Sequence, residues 1–156
     1  MAKQLAPYPE KLARCMVNYQ YLEEGLRFCL YRCQTFIQLR ISSSLTYEVP
    51  LKTIDEAALP RLIELFKPFS RNESLIQKLR LVNNYRDSLA HEGNLIQTGE
   101  QTPENEKALE AFLLAAEESA AMLKEESIYI DEQLKSEYQR LKQEKALPET
   151  DIIPPL

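Results

Sequence analysis

EKLARCMVNYQYLEEGLRFCLYRCQTFIQLRI, running from Glu10 to Ile41, decides the fold class. Leu12, Cys15, Tyr19, Leu22, Leu26, Cys29, Cys33 and Phe36 recur at steps of three and four, the spacing that lines one face of an α-helix. Met16, Leu30 and Ile37 widen that stripe. Ser42-Ser43-Ser44 ends the helix, and Leu45 to Lys52, which contains Pro50, reads as an irregular connection rather than a strand. Thr53-Ile54-Asp55-Glu56 has the form of a capping box, so a helical turn is expected there. Pro60 suits the first turn of a helix reaching about Lys67, with Leu62, Leu65, Phe66 and Phe69 inward and Pro68 closing it. Ser70-Arg71-Asn72-Glu73 is a second capping box, opening a helix from Arg71 to His91 with Gly93 as its left-handed cap.

Glu92 to Thr102 reads as an exposed linker. Thr102-Pro103-Glu104 then places a cap, a first-turn proline and an acid at a helix start. Leu109, Phe112, Ala116, Ser119, Leu123, Ile130, Leu134, Tyr138 and Leu141 keep the three-four rhythm over nearly forty residues. Such a helix would be ~55 Å long, so its far end is expected to fray, bend or meet a partner. The expectation is an all-α bundle of four or five helices with long first and last members. One helical domain should span residues 1–146, followed by a tail over 147–156.

Composition agrees. A chain of 156 residues can bury one core unaided, and three glycines are few for folds that need many turns or phosphate loops. The net charge of -5 and a pI near 5.1 exclude nucleic-acid binding by bulk positive charge, so any RNA contact must be local. No apolar run is long enough for a membrane span, and the first residues hold no apolar signal core, so the chain is expected in the cytoplasm without a membrane partner. Cys15, Cys29 and Cys33 fall in one helix without a CxxC, and with a single histidine they suit packed, reduced thiols better than a metal or redox site.

Leu81 to Gly93 carries the chemistry-bearing side chains. Leu75, Leu79, Val82 and Leu89 form an apolar seam whose missing member is Arg86, and a guanidinium there needs a carboxylate or a polar cleft. Asp87 and His91, four residues apart, can touch, and a carboxylate beside an imidazole in the last helical turn favours the cation and fixes one ring nitrogen. The same pair also suits a surface contact at a helix end. Positions 86 and 91 stand about 140° apart around a helix, so one continuous helix does not aim both at one spot. A symmetric dimer about this helix would bring two arginines and two histidines into one cleft.

At these residues the sequence resembles the HEPN superfamily, whose motif is Arg, a polar residue, three further residues, then His, standing here as Arg86-Asp87-Ser88-Leu89-Ala90-His91. Leu22-Glu23-Glu24, Pro60 to Phe66 and Leu75 to Arg80 also look similar, so the resemblance covers roughly residues 15–95. It implies a metal-independent endoribonuclease needing no cofactor, acting as a homodimer on single-stranded RNA and leaving 2′,3′-cyclic phosphate, in a toxin or antiviral role with an antitoxin or regulatory partner. Arg86 and His91 would be catalytic, and Asn84 and Asp87 would orient them. Asp87 stands where many active members carry Asn. The alternative is a non-catalytic HEPN-like binding or assembly module. A purely structural reading would instead tie Arg86 to an internal acid such as Glu23 or Glu24.

Overall fold

The structure, a computed structural model, describes residues 8–91 and 103–146. Five α-helices follow one another among them: α1 (Tyr8–Ile41), α2 (Leu51–Glu56), α3 (Leu59–Phe66), α4 (Glu73–His91) and α5 (Pro103–Ala146), with a 3-10 turn at Lys67–Phe69. This is the all-α bundle with long first and last helices. The linker over 92–101, the Gly93 cap, the Thr102 cap and the tail over 147–156 lie outside the described residues. No helix among the described residues is long and apolar enough to cross a membrane.

α1 and α5 form the spine. Their 34 and 44 residues correspond to about 51 and 66 Å, so most of α5 lies alongside α1. The two helices meet closely at Gly25, where a Cβ would stand 2.9 Å from Leu123 Cδ2. From α1, Cys15, Tyr19, Leu22, Leu26, Cys29, Leu30 and Cys33 are buried, which is the stripe expected there, although Met16 stays exposed. α3 and α4 close the bundle with Leu59, Leu62, Ile63 and Phe66 from one and Leu75, Ile76, Leu79 and Val82 from the other. Each fully buried aliphatic or aromatic side chain contributes about 1.5–3 kcal/mol relative to exposure, so this shared core is what holds five helices of modest individual stability together.

Local signals locate the helices better than their first residues. α4 is capped by Asn72, whose Oδ1 accepts the Leu75 N–H at 3.1 Å, while Ser70 Oγ accepts the Asn72 N–H at 3.1 Å. The helix therefore starts two residues beyond the expected Arg71, because the asparagine outcompetes the serine for the first-turn donors. α2 begins at Leu51 behind Pro50 with no side-chain cap, so Thr53 lies inside it rather than ahead of it. α3 starts at Leu59 with Pro60 in its first turn. Ser42 Oγ donates to the Leu39 carbonyl at 2.9 Å and helps end α1 where the serine run was expected to.

The far half of α5 departs from its expected stripe. Ile130 is buried, but Tyr138 is exposed and its neighbour Glu137 is buried instead, at 4% accessibility. Arg40, one residue from the end of α1, donates to Glu137 Oε2 at 3.1 Å, and Arg140 grips the same carboxylate from the next turn at 2.5 Å. The Arg140 hydrogen bond, followed by the charges of Arg140 and Arg40, holds the Glu137 carboxyl below its usual pKa. The far end of α5 thus meets α1 of its own chain through an ion cluster.

Candidate functional site

The stretch expected to carry chemistry lies in the second half of α4. Arg86 does not fill the apolar seam. The neighbouring Tyr85 turns toward the core instead, its ring 6.1 Å from that of buried Phe112 in an edge-on arrangement, and the Arg86 side chain remains 46% exposed. Burial of an aromatic ring against α5 outweighs that of a guanidinium, which sets the rotation of α4 and brings Arg86 to the rim of the seam. Its guanidinium carbon stands 5.5 Å above the ring of Tyr19 from α1, a cation–π distance.

A chain of polar contacts runs beneath it. The Tyr19 hydroxyl donates to Asn83 Oδ1 at 3.1 Å, Asn83 Nδ2 donates to Asp87 Oδ2 at 3.3 Å, and Arg86 Nη1 lies 3.5 Å from Asp87 Oδ1. Burial raises the Tyr19 pKa, with the Arg86 charge opposing the rise, so the phenol stays a hydrogen-bond donor at neutral pH. Tyr19 is thereby both a core residue and the anchor of a surface constellation. Its place on the apolar stripe reveals only the first role, although a buried phenol always requires a polar partner.

Of the four residues expected at the site, Arg86 and Asp87 come together, and Asn84 lies exposed on the same helix. Position 91 is the last residue of α4, and the side chain of His91 lies outside the described residues. Along one continuous α4, position 91 is about 140° from Arg86 but only about 20° from Asn84 and Arg80. Asn83, which joins Tyr19 to Asp87, was not among the expected residues. The hydrogen-bonding edge of an asparagine one turn before Asp87 was the available signal.

The internal acids proposed as partners for Arg86 serve another residue. Glu23 and Glu24 lie 3.2 and 2.5 Å from the Arg27 guanidinium, which also donates to the Ala57 carbonyl at 2.8 Å and so ties α1 to the α2–α3 junction. Among the described residues Arg86 is left with one adjacent carboxylate at the outer limit of hydrogen bonding, a contact that contributes little in solvent. Its remaining N–H groups can receive an anion, and the planar fork matches a phosphate.

The cysteines belong to the core. Cys15, Cys29 and Cys33 are buried, and burial pushes their thiols up to about 11, 11 and 12. They are therefore protonated and weakly nucleophilic near neutral pH. Cys15 Sγ donates to the Leu109 carbonyl at 3.7 Å, joining α1 to the start of α5. No known protein family, curated protein or solved structure gives a match to the chain.

Proposed function

We propose that the chain is a metal-independent endoribonuclease of HEPN type that works as a symmetric dimer on single-stranded RNA. The observation that carries this reading is the half-exposed Arg86 guanidinium, held over Tyr19 beside Asp87 and five residues ahead of His91 on one helix. In the reaction, His91 takes the proton of a ribose 2′-OH as that oxygen attacks the adjacent phosphorus. Arg86 binds the charge that builds on the non-bridging oxygens. The bond to the 5′-oxygen breaks, and His91 of the second copy protonates that leaving group, giving a 2′,3′-cyclic phosphate and a free 5′-OH. The rotation between positions 86 and 91 is why the second copy is required. Asn84 and Asp87 act as orienting groups, and RNA is preferred single-stranded because in-line attack needs a flexible backbone. The biological setting that fits is a cytoplasmic toxin or antiviral effector restrained by a partner protein.

The test is cleavage of a broad RNA panel in excess chelator by the wild type, Arg86→Ala and His91→Ala. Cyclic-phosphate ends from the wild type and a loss of about 100-fold or more in each variant are expected. Absence of cleavage by the wild type across the panel removes the nuclease reading.

A second reading, a non-catalytic binding or assembly module, is favoured by a different feature. Tyr21, Phe28 and Ile128 are 57%, 50% and 52% exposed around a cavity of about 440 Å³ between α1 and α5. Contiguous exposed apolar surface of this kind commonly marks a protein contact. Under this reading Tyr21→Lys abolishes assembly in sedimentation analysis, and RNA remains uncut.

A further inference from the structure

Positive charge is scarce in this acidic chain, yet it gathers in one place. Residues 61–80 hold Arg61, Lys67, Arg71, Lys78 and Arg80 against only Glu64 and Glu73, a local charge of +3 within a chain of -5. The fold spends two of these cations on ion pairs: Lys78 reaches Glu118 on α5, and Arg80 lies 2.9 Å from Glu64 on α3. Lys52, Arg61, Lys107, Lys124, Lys135, Lys142 and Lys145 have no carboxylate of the described residues within ion-pair distance, and neither do Lys67 and Arg71.

Those two cations line a cavity of about 280 Å³ between the 3-10 turn and the first turns of α4, together with Ser70, Gln77 and Arg80. Glu73 and the buried Ile76 line it as well. Lys67 and Arg71 therefore face Glu73 next to the positive end of α4, with the Gln77 amide beside them, while Arg80 is paired with Glu64 and the Ser70 hydroxyl donates to Glu126 Oε1 at 3.0 Å. The Arg80–Glu64 pair holds the Glu64 carboxyl below its usual pKa, so that acid stays ionised and keeps Arg80 at the rim of the cavity. The volume exceeds that of a phosphate group several times over, leaving space for the sugar attached to it.

We propose that this cavity is a phosphate subsite, in which Lys67 and Arg71 bind a backbone phosphate of the RNA strand upstream or downstream of the bond cut at Arg86. The proposal rests on the ribonuclease reading for the source of the phosphate, and on the cavity alone for the phosphate itself. Register along α4 supports the strand's path. Gln77, Arg80 and Asn84 are exposed and share one side of the helix with position 91, about 40°, 20° and 20° from it, so one strand can follow that side from the cavity to the helix end, where Arg86 of the second copy rather than of the same copy meets the bond to be cut. A chain with no bulk positive charge would hold RNA through such a local subsite, and each phosphate neutralised there releases counterions.

The test uses an uncleavable 2′-O-methyl oligonucleotide, and separately inorganic phosphate, with the wild type, the double variant Lys67→Gln/Arg71→Gln and the charge-matched control Lys107→Gln/Lys142→Gln. All four positions are exposed, so thermal midpoints should be unchanged. The double variant is expected to bind the oligonucleotide about 10-fold more weakly, with a salt slope smaller by about 0.7–1.4, while the control stays within about 2-fold. Wild-type affinity and slope in the double variant overturn the subsite and leave the nuclease reading standing. If the wild type ignores the oligonucleotide but binds inorganic phosphate through Lys67 and Arg71, the cavity stands as a small-phosphate site and the RNA source fails. Binding of neither probe overturns the proposal outright.

Discussion

Two of the arginine–carboxylate contacts on this bundle differ in almost every respect. At the far end, Glu137 is buried at 4% accessibility and accepts from Arg40 of α1 and Arg140 of α5 at 3.1 and 2.5 Å. Toward the end of α4, Arg86 and Asp87 have side chains 46% and 48% exposed and approach only to 3.5 Å. In the first cluster the carboxylate has lost its water and depends on its partners, so the pair serves to dock two helices. In the second the guanidinium stays half-exposed, with one carboxylate among the described residues and the ring of Tyr19 5.5 Å below it. An arginine beside an acid in sequence says nothing of which kind it is. Burial of the carboxylate separates them.

The largest effect should come from the closed cluster. Glu137→Gln leaves two arginines without their shared counter-charge and is expected to cost about 1–2 kcal/mol in urea unfolding, the lower part of the range because Arg40 and Arg140 are themselves 58% and 39% exposed. The loss should depend on pH with a definite sign. Because the folded pKa of Glu137 lies below the ordinary 4.5, the stability it contributes is complete above that value and disappears as pH falls through the folded value. The wild type and Glu137→Gln should therefore differ by a constant amount at neutral pH and converge in acid. A difference that persists unchanged under strongly acidic conditions would make the role of Glu137 one of packing rather than charge.

A smaller effect is expected at the hinge between core and site. Tyr19→Phe keeps the buried ring but removes the donor to Asn83, which should lower stability by about 1 kcal/mol. The same change should loosen Asp87 and Arg86, read as faster amide exchange in the second half of α4. If exchange there is unaltered, the polar chain from Tyr19 to Arg86 does not act as a unit. The smallest change in stability should come from Arg86→Ala, within about 0.5 kcal/mol, since its ion pair is exposed and long. A loss of about 2 kcal/mol would instead place Arg86 with Arg40 as a structural residue and erase the contrast between the clusters.

Much of the fold was legible because helix-forming residues repeat with a period that needs no tertiary information. The α1 stripe from Cys15 to Cys33 was readable except at Met16, which stays exposed, and the Pro60, Pro103 and triple-serine signals located starts and stops to within a few residues. Where two caps compete, as Ser70 and Asn72 do before α4, only backbone geometry chooses between them. The constellation around Arg86 was legible only in part, since neither Asn83 nor Tyr19 was expected in it. Arg86 and Asp87 could be singled out from spacing to His91, whereas Tyr19 lies 67 residues earlier than Arg86 and is joined to it only when the bundle brings its ring within side-chain reach of α4.

The sequence by itself determined the class of fold, the bounds of the long helices and the apolar face of α1, because periodicity and capping act within a few residues of the chain. Only the tertiary structure decided how far α4 and the end of α5 are rotated. Tyr85 rather than Arg86 turns inward because the ring of Phe112 receives it, and Glu137 rather than Tyr138 is buried because Arg40 and Arg140 converge on its carboxylate. Both outcomes depend on partners at least 27 residues away in the first case and 97 in the second, where the Arg40 contact is concerned. A helical period allows a neighbouring residue on either side of the seam, and the choice between them rests on which side chain finds a partner that compensates the loss of water.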